Sequence, residues 1–399
     1  MSSSLSCRRQ FLRFLAGSPL LASAMAQESF PTLVSAKDAI NVMDFEALAR
    51  KALPPAHWGY MATGVDDDLT LRMNREAMSH YQLRARRLVG VVKADLHTAV
   101  FGADWDMPIY VSAVGSQTAF HPDGELGTAR AAKAQKAIQM LSTVTSTSVE
   151  DVTKALGTAP WYQLYMPTSW EDTEKMVKRA EAAGCPVLAW TIDTLAGRNT
   201  ETATRFARMD KRDCMSCHVA HPITGALAER NRAKPMFAGL SGEMNRAGAD
   251  WTYVDRLKKM TKMKLVLKGI DTGEDARLAR EHGADGVIVS NHGGRAAETG
   301  RGTMDILPEV VDAVGGKISV FVDGGFRRGT DILKALAIGA RAVGIGRPYI
   351  WGLSAFGQEG VERVLEILRT ELALTMRQCG IPSIAQITRA SILNAGAKG

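Results

Sequence analysis

Residues 287–295 read VIVSNHGGR, a short apolar run that ends in polar residues and glycines. Such a run is typical of a buried strand in a parallel sheet. The turn after it brings His292 and Arg295 to the carboxyl end of that strand, and open parallel sheets bind their ligands at that end. This stretch therefore predicts both a strand and part of a polar site.

Seven more apolar runs have the same character, and Ala-rich helical patterns lie between most of them, giving strand-helix spacings of about 22 to 32 residues. The runs are residues 108–111, 138–141, 161–164, 187–190, 265–267, 320–322 and 342–345. Eight strand-helix units favour an α/β fold that closes as a TIM (β/α)₈ barrel over an open doubly wound sheet. We assign the barrel to residues 106–399.

Two segments lie outside this period. Residues 27–105 have a helical, polar pattern and predict an N-terminal helical cap. Between the fourth and fifth strands lie about 70 residues, more than one crossover helix needs. This interval predicts a long loop over residues 198–262, which lies at the catalytic end because it follows the carboxyl end of a strand.

The first 26 residues have the features of an export signal. Arg8 and Arg9 are followed by Phe-Leu, then by an apolar stretch too short to span a bilayer and by an Ala-x-Ala sequence that ends at Ala26. The paired arginines indicate a twin-arginine signal, cleavage after Ala26 and a periplasmic protein. The alternative is an uncleaved amphipathic start to the fold.

Composition limits the class of protein. The chain has 399 residues, 46% hydrophobic and 23% charged, as in soluble globular proteins. Its net charge of +7 includes three arginines in the predicted signal (Arg8, Arg9 and Arg13), so the mature chain has 7 − 3 = +4. No basic run concentrates this charge. This small and dispersed positive charge gives no support for a nucleic-acid partner and suits a small anionic substrate.

The predicted strand ends are unusually polar. A single His or Lys at a strand end is usually structural, but several together favour a site. Glycine-rich turns after the last two strands occupy the position where barrels bind phosphate, and Arg327 and Arg347 add charge there. The polar strand ends are Ser142, Gln163, Tyr165, Thr191, Asp193, Lys268, residues 290–295, residues 323–329, Gly346 and Arg347.

Motifs across nearly the whole chain resemble the FMN-dependent 2-hydroxy acid oxidase and dehydrogenase family, which includes glycolate oxidase, lactate and mandelate dehydrogenases and flavocytochrome b2. The motifs are YMATG (60–64), HPDGE (121–125), QLY (163–165), TIDT (191–194), LKG (267–269), SNHGGR (290–295), DGGFRRGTD (323–331) and IGRP (345–348). The resemblance implies bound FMN, oxidation of a lactate-like L-2-hydroxy acid and a homo-oligomer.

The resemblance also implies residue roles. His292 would be the base, and Asp193 would stabilise its imidazolium. Arg295, with Tyr60, would bind the substrate carboxylate, while Tyr165 faces the substrate oxygen. Lys268 would stabilise the reduced flavin. The implied FMN-binding residues are Gly115, Ser142, Gln163, Thr191, Lys268, Ser290, Asp323, Gly324, Gly325, Arg327, Gly346 and Arg347.

The chain departs from the family pattern in two places. Relatives have a second carboxylate-binding Arg shortly after the position of Asp193, and here Arg198 is the candidate. The first barrel strand ends in SAVG (112–115), where relatives more often have Ala-Pro-Thr-Ala. Both departures concern the choice of substrate more than FMN binding.

The long loop contains CMSCH at residues 214–218, the attachment pattern of c-type haem. Cys214 and Cys217 would bind the vinyl groups and His218 the iron, with Met236 or Met244 as candidate sixth ligands. The alternatives are a redox dithiol, a disulfide and a zinc site that uses His218 and His221. We predict a haem that passes electrons to a cytochrome or quinone. The competing hypotheses are an O₂-using oxidase without haem and an inactive barrel that serves as a small-molecule binding or electron-carrier protein.

Overall fold

The computed structural model describes residues 33–212, 234–240, 244 and 246–394. The strands are β1 (Tyr81–Leu83), β2 (Thr98–Val100), β3 (Ala103–Trp105), β4 (Ile109–Val111), β5 (Ile138–Ser142), β6 (Trp161–Leu164), β7 (Val187–Thr191), β8 (Lys264–Ile270), β9 (Gly286–Val289), β10 (Ser319–Val322), β11 (Ala342–Ile345) and β12 (Ile392–Asn394). The helices are α1 (Asp44–Ala52), α2 (Pro55–Ala62), α3 (Leu69–Glu76), α4 (Gly124–Ala134), α5 (Val149–Leu156), α6 (Trp170–Ala182), α7 (Glu201–Met209), α8 (Thr252–Met260), α9 (Gly273–Glu281), α10 (Thr303–Val314), α11 (Gly329–Ile338) and α12 (Arg347–Gln378).

Strands β4 to β11 form a closed parallel barrel. Each strand pairs with the next in sequence, and β11 returns to β4 with Val343 opposite Ile109. The eight predicted strands and the (β/α)₈ fold are confirmed. The short apolar runs reveal the strands because a barrel strand is buried on both faces and therefore shows no polar alternation.

Several barrel helices begin at a side-chain cap. Ser148, Ser169 and Thr272 precede α5, α6 and α9, and each side-chain oxygen accepts the backbone N–H three residues later. These bonds satisfy N–H groups that lack a partner within the helix. The caps therefore fix the residue at which each helix begins after the turn that follows its strand.

The interior of the barrel is filled by aromatic side chains. The rings of Tyr110 and Phe321 lie 5.9 and 5.3 Å from that of Trp161. Trp105 of the β2–β3 hairpin packs on the same ring at 5.4 Å. Because this hairpin directly precedes β4, it covers the amino-terminal end of the barrel. The site must therefore open at the opposite end, where the strands finish.

Two segments differ from their predicted helix or loop character. The predicted cap contains helices α1 to α3, but residues 81–105 hold three short strands instead of helix. Strand β1 pairs with β12 at the other end of the chain, with Tyr81 opposite Asn394. A local pattern cannot reveal such a distant partner. The predicted long loop likewise contains α7, which packs on α2, and α8 before β8.

Some predictions concern residues that the structure does not describe. The export signal (1–26) and the motif residues Cys214, Cys217 and His218 lie outside the described residues. Within the described part, the Met236 side chain is buried in the core at 1% exposure. None of the described helices has the length and apolar character of a membrane span.

Candidate active site

The carboxyl ends of the barrel strands surround one cavity. The predicted site residues that line it are Tyr60, Gly115, Ser142, Tyr165, Lys268, His292, Arg295, Asp323, Gly324, Gly325, Arg327, Gly346 and Arg347. Asp193, Gln163 and Ser290 lie behind this wall and bond to residues in it, and Thr191 bonds to Gln163. Arg198 is exposed beside the cavity, with one guanidinium nitrogen 3.5 Å from the carbonyl oxygen of Arg295.

His292 and Asp193 form a paired unit at the ends of β9 and β7. Nδ1 of His292 lies 3.0 Å from Oδ1 of Asp193, and Nε2 lies 3.1 Å from the hydroxyl of Tyr165. An ionised carboxylate only accepts hydrogen bonds, so the Nδ1 nitrogen carries the proton. The Tyr165 hydroxyl then donates to Nε2. The imidazole therefore has an unprotonated nitrogen on the cavity side.

For both His292 and Asp193, burial and the charge of the partner residue shift the pKa in opposite directions. Burial lowers the pKa of His292 below its ordinary 6.5, and Asp193 partly opposes this effect. Burial acts to raise the pKa of Asp193, but His292, Lys268 and Arg198 together hold it below its usual range. Burial also raises the pKa of Tyr165, so its hydroxyl stays protonated. At neutral pH the pair is a neutral imidazole beside a carboxylate, the state that a general base requires.

Three guanidinium groups face the cavity without an acidic partner. Arg295 donates to the carbonyl of Thr63 at 2.8 Å, with its guanidinium carbon 4.3 Å from the centre of the Tyr60 ring. Arg347 donates to carbonyl oxygens, and Arg327 lies over the Trp351 ring. Among the described residues, no carboxylate lies within 4.0 Å of any of the three. The cavity thus offers cations that an anionic ligand could pair with.

Loss of water contact is costly for these cations. Burial, with Arg295 and Arg327 nearby, lowers the pKa of Arg347 to about 9. Burial and the neighbouring Arg75 lower the pKa of Arg327 to about 10. Burial similarly lowers the pKa of Arg295. Bound anions would remove the mutual repulsion of these groups and form charge-assisted hydrogen bonds with them.

Polar side chains also form a ladder across the strand ends. Ser142 donates to Oε1 of Gln163 at 3.0 Å, and Nε2 of Gln163 donates to the hydroxyl of Thr191 at 2.9 Å. Next along the barrel, Lys268 donates to the Ser290 hydroxyl at 2.9 Å, and its ammonium lies 3.5 Å from Asp323. Ser142, Lys268 and Asp323 of this row line the cavity, and Gln163, Thr191 and Ser290 support them from behind.

Asn74 of α3 is a buried site residue that the sequence patterns did not reveal. Its amide exchanges hydrogen bonds of 2.9 and 2.8 Å with Asn291, and it accepts one from the Thr303 N–H. A Cβ on Gly325 would lie only 2.2 Å from the Asn74 carbonyl oxygen. Asn74, in the N-terminal segment, therefore holds in place the two turns that follow β9 and β10 at the carboxyl end of the barrel. A single polar residue in a polar helix carries no signal for this role.

Comparisons with known proteins agree with this architecture. A family model described as FMN-dependent dehydrogenase matches residues 49–394. Glycolate oxidase 1 of Oryza sativa subsp. indica is 40% identical over 88% of this chain and 95% of the relative. A peroxisomal (S)-2-hydroxy-acid oxidase of Oryza sativa subsp. japonica is 40% identical over 90% and 96%. The flavin-binding domain of baker's yeast flavocytochrome b2 superposes with a TM-score of 0.80 at 33% identity, covering 91% and 89%.

The chain therefore belongs to the FMN-dependent dehydrogenase family. Its reaction class is the FMN-dependent oxidation of a 2-hydroxy acid. The family resemblance predicted from the sequence motifs is confirmed.

The residues of the cavity fit FMN. Arg327 and Arg347 lack acidic partners and suit the phosphate, and the first N–H groups of α12, which begins at Arg347, add donors that have no partner within the helix. Ser142 lines the cavity with Gln163 and Thr191 behind it, and this ladder contains both donors and acceptors, the two kinds of group that pair with a flavin ring edge. These residues would hold the cofactor, with the Lys268 cation beside its ring.

Proposed function

We propose that this enzyme oxidises a lactate-like L-2-hydroxy acid to the 2-oxo acid, with His292 as the base. One observation carries the proposal: the unprotonated Nε2 of His292 and the unpaired guanidinium of Arg295 face one cavity that also fits FMN. A base and a carboxylate-binding cation are the two groups that the oxidation of a hydroxy acid needs beside its electron acceptor.

The side chains divide the work as follows. Arg295, with the Tyr60 hydroxyl, binds the substrate carboxylate, and Arg198 adds positive charge at the rim. Tyr165 faces the substrate oxygen. His292 Nε2 takes the proton that the substrate loses, and Asp193 stabilises the resulting imidazolium through Nδ1. FMN, when bound, supplies the acceptor for the electron pair. Lys268 offers a fixed positive charge, which favours an anionic reduced ring.

The pKa of His292 sets a testable pH profile. The base must be neutral, so kcat/KM should fall as the pH drops through a value below 6.5. Asp193 raises the pKa of His292, so Asp193→Asn should move this acid limb to lower pH and also lower kcat. Steady-state profiles of both proteins would show the shift. An acid limb that stays in place or moves to higher pH in Asp193→Asn would contradict the assignment.

We also propose that the mature enzyme is periplasmic, is exported by its twin-arginine signal and carries a c-type haem at Cys214 and Cys217. The support is the sequence of residues 214–218 together with an export signal, because such haems are attached outside the cytoplasm. His218 would ligate the iron. The haem would supply a one-electron acceptor, leading to a cytochrome or quinone. We further propose that the enzyme is a homo-oligomer.

A second candidate is an O₂-using oxidase without haem. The names of the plant relatives support it, since they are oxidases of glycolate and of (S)-2-hydroxy acids. In that case residues 214–218 have another role, such as a dithiol.

Haem staining after denaturing electrophoresis distinguishes the two candidates. We expect a covalent haem signal from the exported wild type and a reduced signal from Cys217→Ala, whereas Cys185→Ala, which changes a buried free cysteine of the core, should keep the full signal. Wild-type turnover should be faster with cytochrome c or a dye than with O₂. Absence of stain in the wild type, with stoichiometric peroxide formation, would favour the oxidase.

A further inference from the structure

Gly269 occupies an irregular position in the barrel wall next to the proposed catalytic pair. The pairing of β8 with β9 shifts register between Lys268 and Ile270, which marks a bulge at Gly269. On its other side β8 keeps its pairing with β7, where the Ile192 N–H donates to the carbonyl of Lys268 at 2.9 Å. Gly269 has φ +106°, a backbone conformation that side-chain-bearing residues rarely adopt. Bulges often re-aim side chains next to active sites.

The space that a side chain at position 269 would need is filled by Asp193. A Cβ there would lie 2.6 Å from Cβ, 2.7 Å from Cγ and 2.8 Å from Oδ2 of Asp193. All three distances are shorter than van der Waals contact allows. The Asp193 side chain is only 7% exposed, and its Oδ1 is bonded to His292. Asp193 therefore cannot give way without changing its contact with the imidazole.

We propose that Gly269 is the positioning residue of the His292–Asp193 pair. Its bulge and its lack of a side chain let the Asp193 carboxylate lie against β8 at hydrogen-bond distance from Nδ1 of His292. This inference rests on the proposed roles of His292 and Asp193.

Gly269→Ala tests the proposal. A displaced carboxylate should lower kcat by ~10²-fold, as misplacement by about 1 Å can do. It should also move the acid limb of kcat/KM to lower pH, as in Asp193→Asn. In the double variant Gly269→Ala/Asp193→Asn, kcat should lie within about twofold of that of Asp193→Asn alone, because both changes remove one interaction. If instead the loss of kcat in the double variant equals the product of the losses in the two single variants, the proposal is overturned.

Gly283→Ala is the matched control for backbone strain. Gly283 has φ +76°, but a Cβ there would meet nothing within 4 Å. We expect this variant to keep the wild-type pH profile and kcat. If Gly269→Ala behaves like Gly283→Ala while Asp193→Asn is impaired, the inference about Gly269 fails and the proposed function stands. If Asp193→Asn itself is unimpaired, the proposed function fails.

A stability measurement covers the case in which Gly269→Ala does not fold. Asp193→Gly removes the three atoms that would lie nearest to the new Cβ. The Tm loss caused by Gly269→Ala should therefore be much smaller in the Asp193→Gly background than in the wild type. An equal loss in both backgrounds would show that backbone strain alone dictates the glycine, and would contradict the positioning role.

Discussion

His292→Gln is expected to lower kcat for 2-hydroxy acid oxidation by ~10³-fold, within the usual range for loss of a general base. The glutamine amide can occupy similar space, but it has no nitrogen that accepts a proton near neutral pH. FMN content should stay at the wild-type level, because the predicted phosphate and ring contacts lie on other residues. Rapid-mixing spectroscopy of flavin reduction, without O₂, would measure the chemical step directly.

His282→Gln is the control for this change. Nδ1 of His282 also lies 3.0 Å from a carboxylate, that of Asp255 in α8, but His282 lies at the end of α9 and does not line the cavity. The variant should retain wild-type kcat. If His292→Gln reduced the flavin as fast as the wild type, the proton would have to go elsewhere, and the assignment of the base would be wrong.

Arg295→Lys should raise KM for 2-hydroxy acids and lower kcat/KM by ~10²-fold, toward the lower end of the effect expected when a buried charge pair is truncated, because the charge is kept and the bidentate geometry is lost. Lysine keeps the charge but loses the planar fork that binds a carboxylate through two parallel hydrogen bonds. It also loses the guanidinium packing on Tyr60. Steady-state kinetics and spectral titration with the 2-oxo acid product would separate binding from turnover.

Arg256→Lys is the matched control for the aromatic packing. The Arg256 guanidinium carbon lies 3.7 Å from the centre of the Trp170 ring, and Arg256 does not line the cavity. Its kcat/KM should match the wild type. An unchanged KM in Arg295→Lys would place the substrate carboxylate on other cations, with Arg198 the nearest candidate.

The barrel itself could be predicted because each of its strands has a local sequence pattern. Runs such as residues 287–289 and 320–322 are apolar throughout, since both faces of each strand are covered, and they recur at the spacing of strand-helix units. Strands β1 to β3 carried no comparable signal. They are three residues long, and β1 depends on a partner more than 300 residues away in sequence, as the Tyr81–Asn394 register shows.

The site was predictable to the extent that its residues follow strands. His292, Asp193 and Lys268 stand directly after apolar runs, so a barrel must bring them together. Asn74 and Gly269 could not be assigned roles in this way. The role of Asn74 depends on burial against Asn291, and that of Gly269 on a bulge and on the packing of Asp193. Both are contacts between elements, which a single-sequence pattern does not encode.

We expect the His292–Arg295 cavity to bind FMN and to use it to oxidise a 2-hydroxy acid. The most direct measurement is the visible spectrum of the purified mature enzyme, without O₂, before and after addition of L-lactate and a panel of other 2-hydroxy acids. We expect flavin absorption that bleaches with at least one acid in the wild type and persists in His292→Gln. A protein that takes up no FMN, or whose flavin no acid in the panel reduces, would contradict the account.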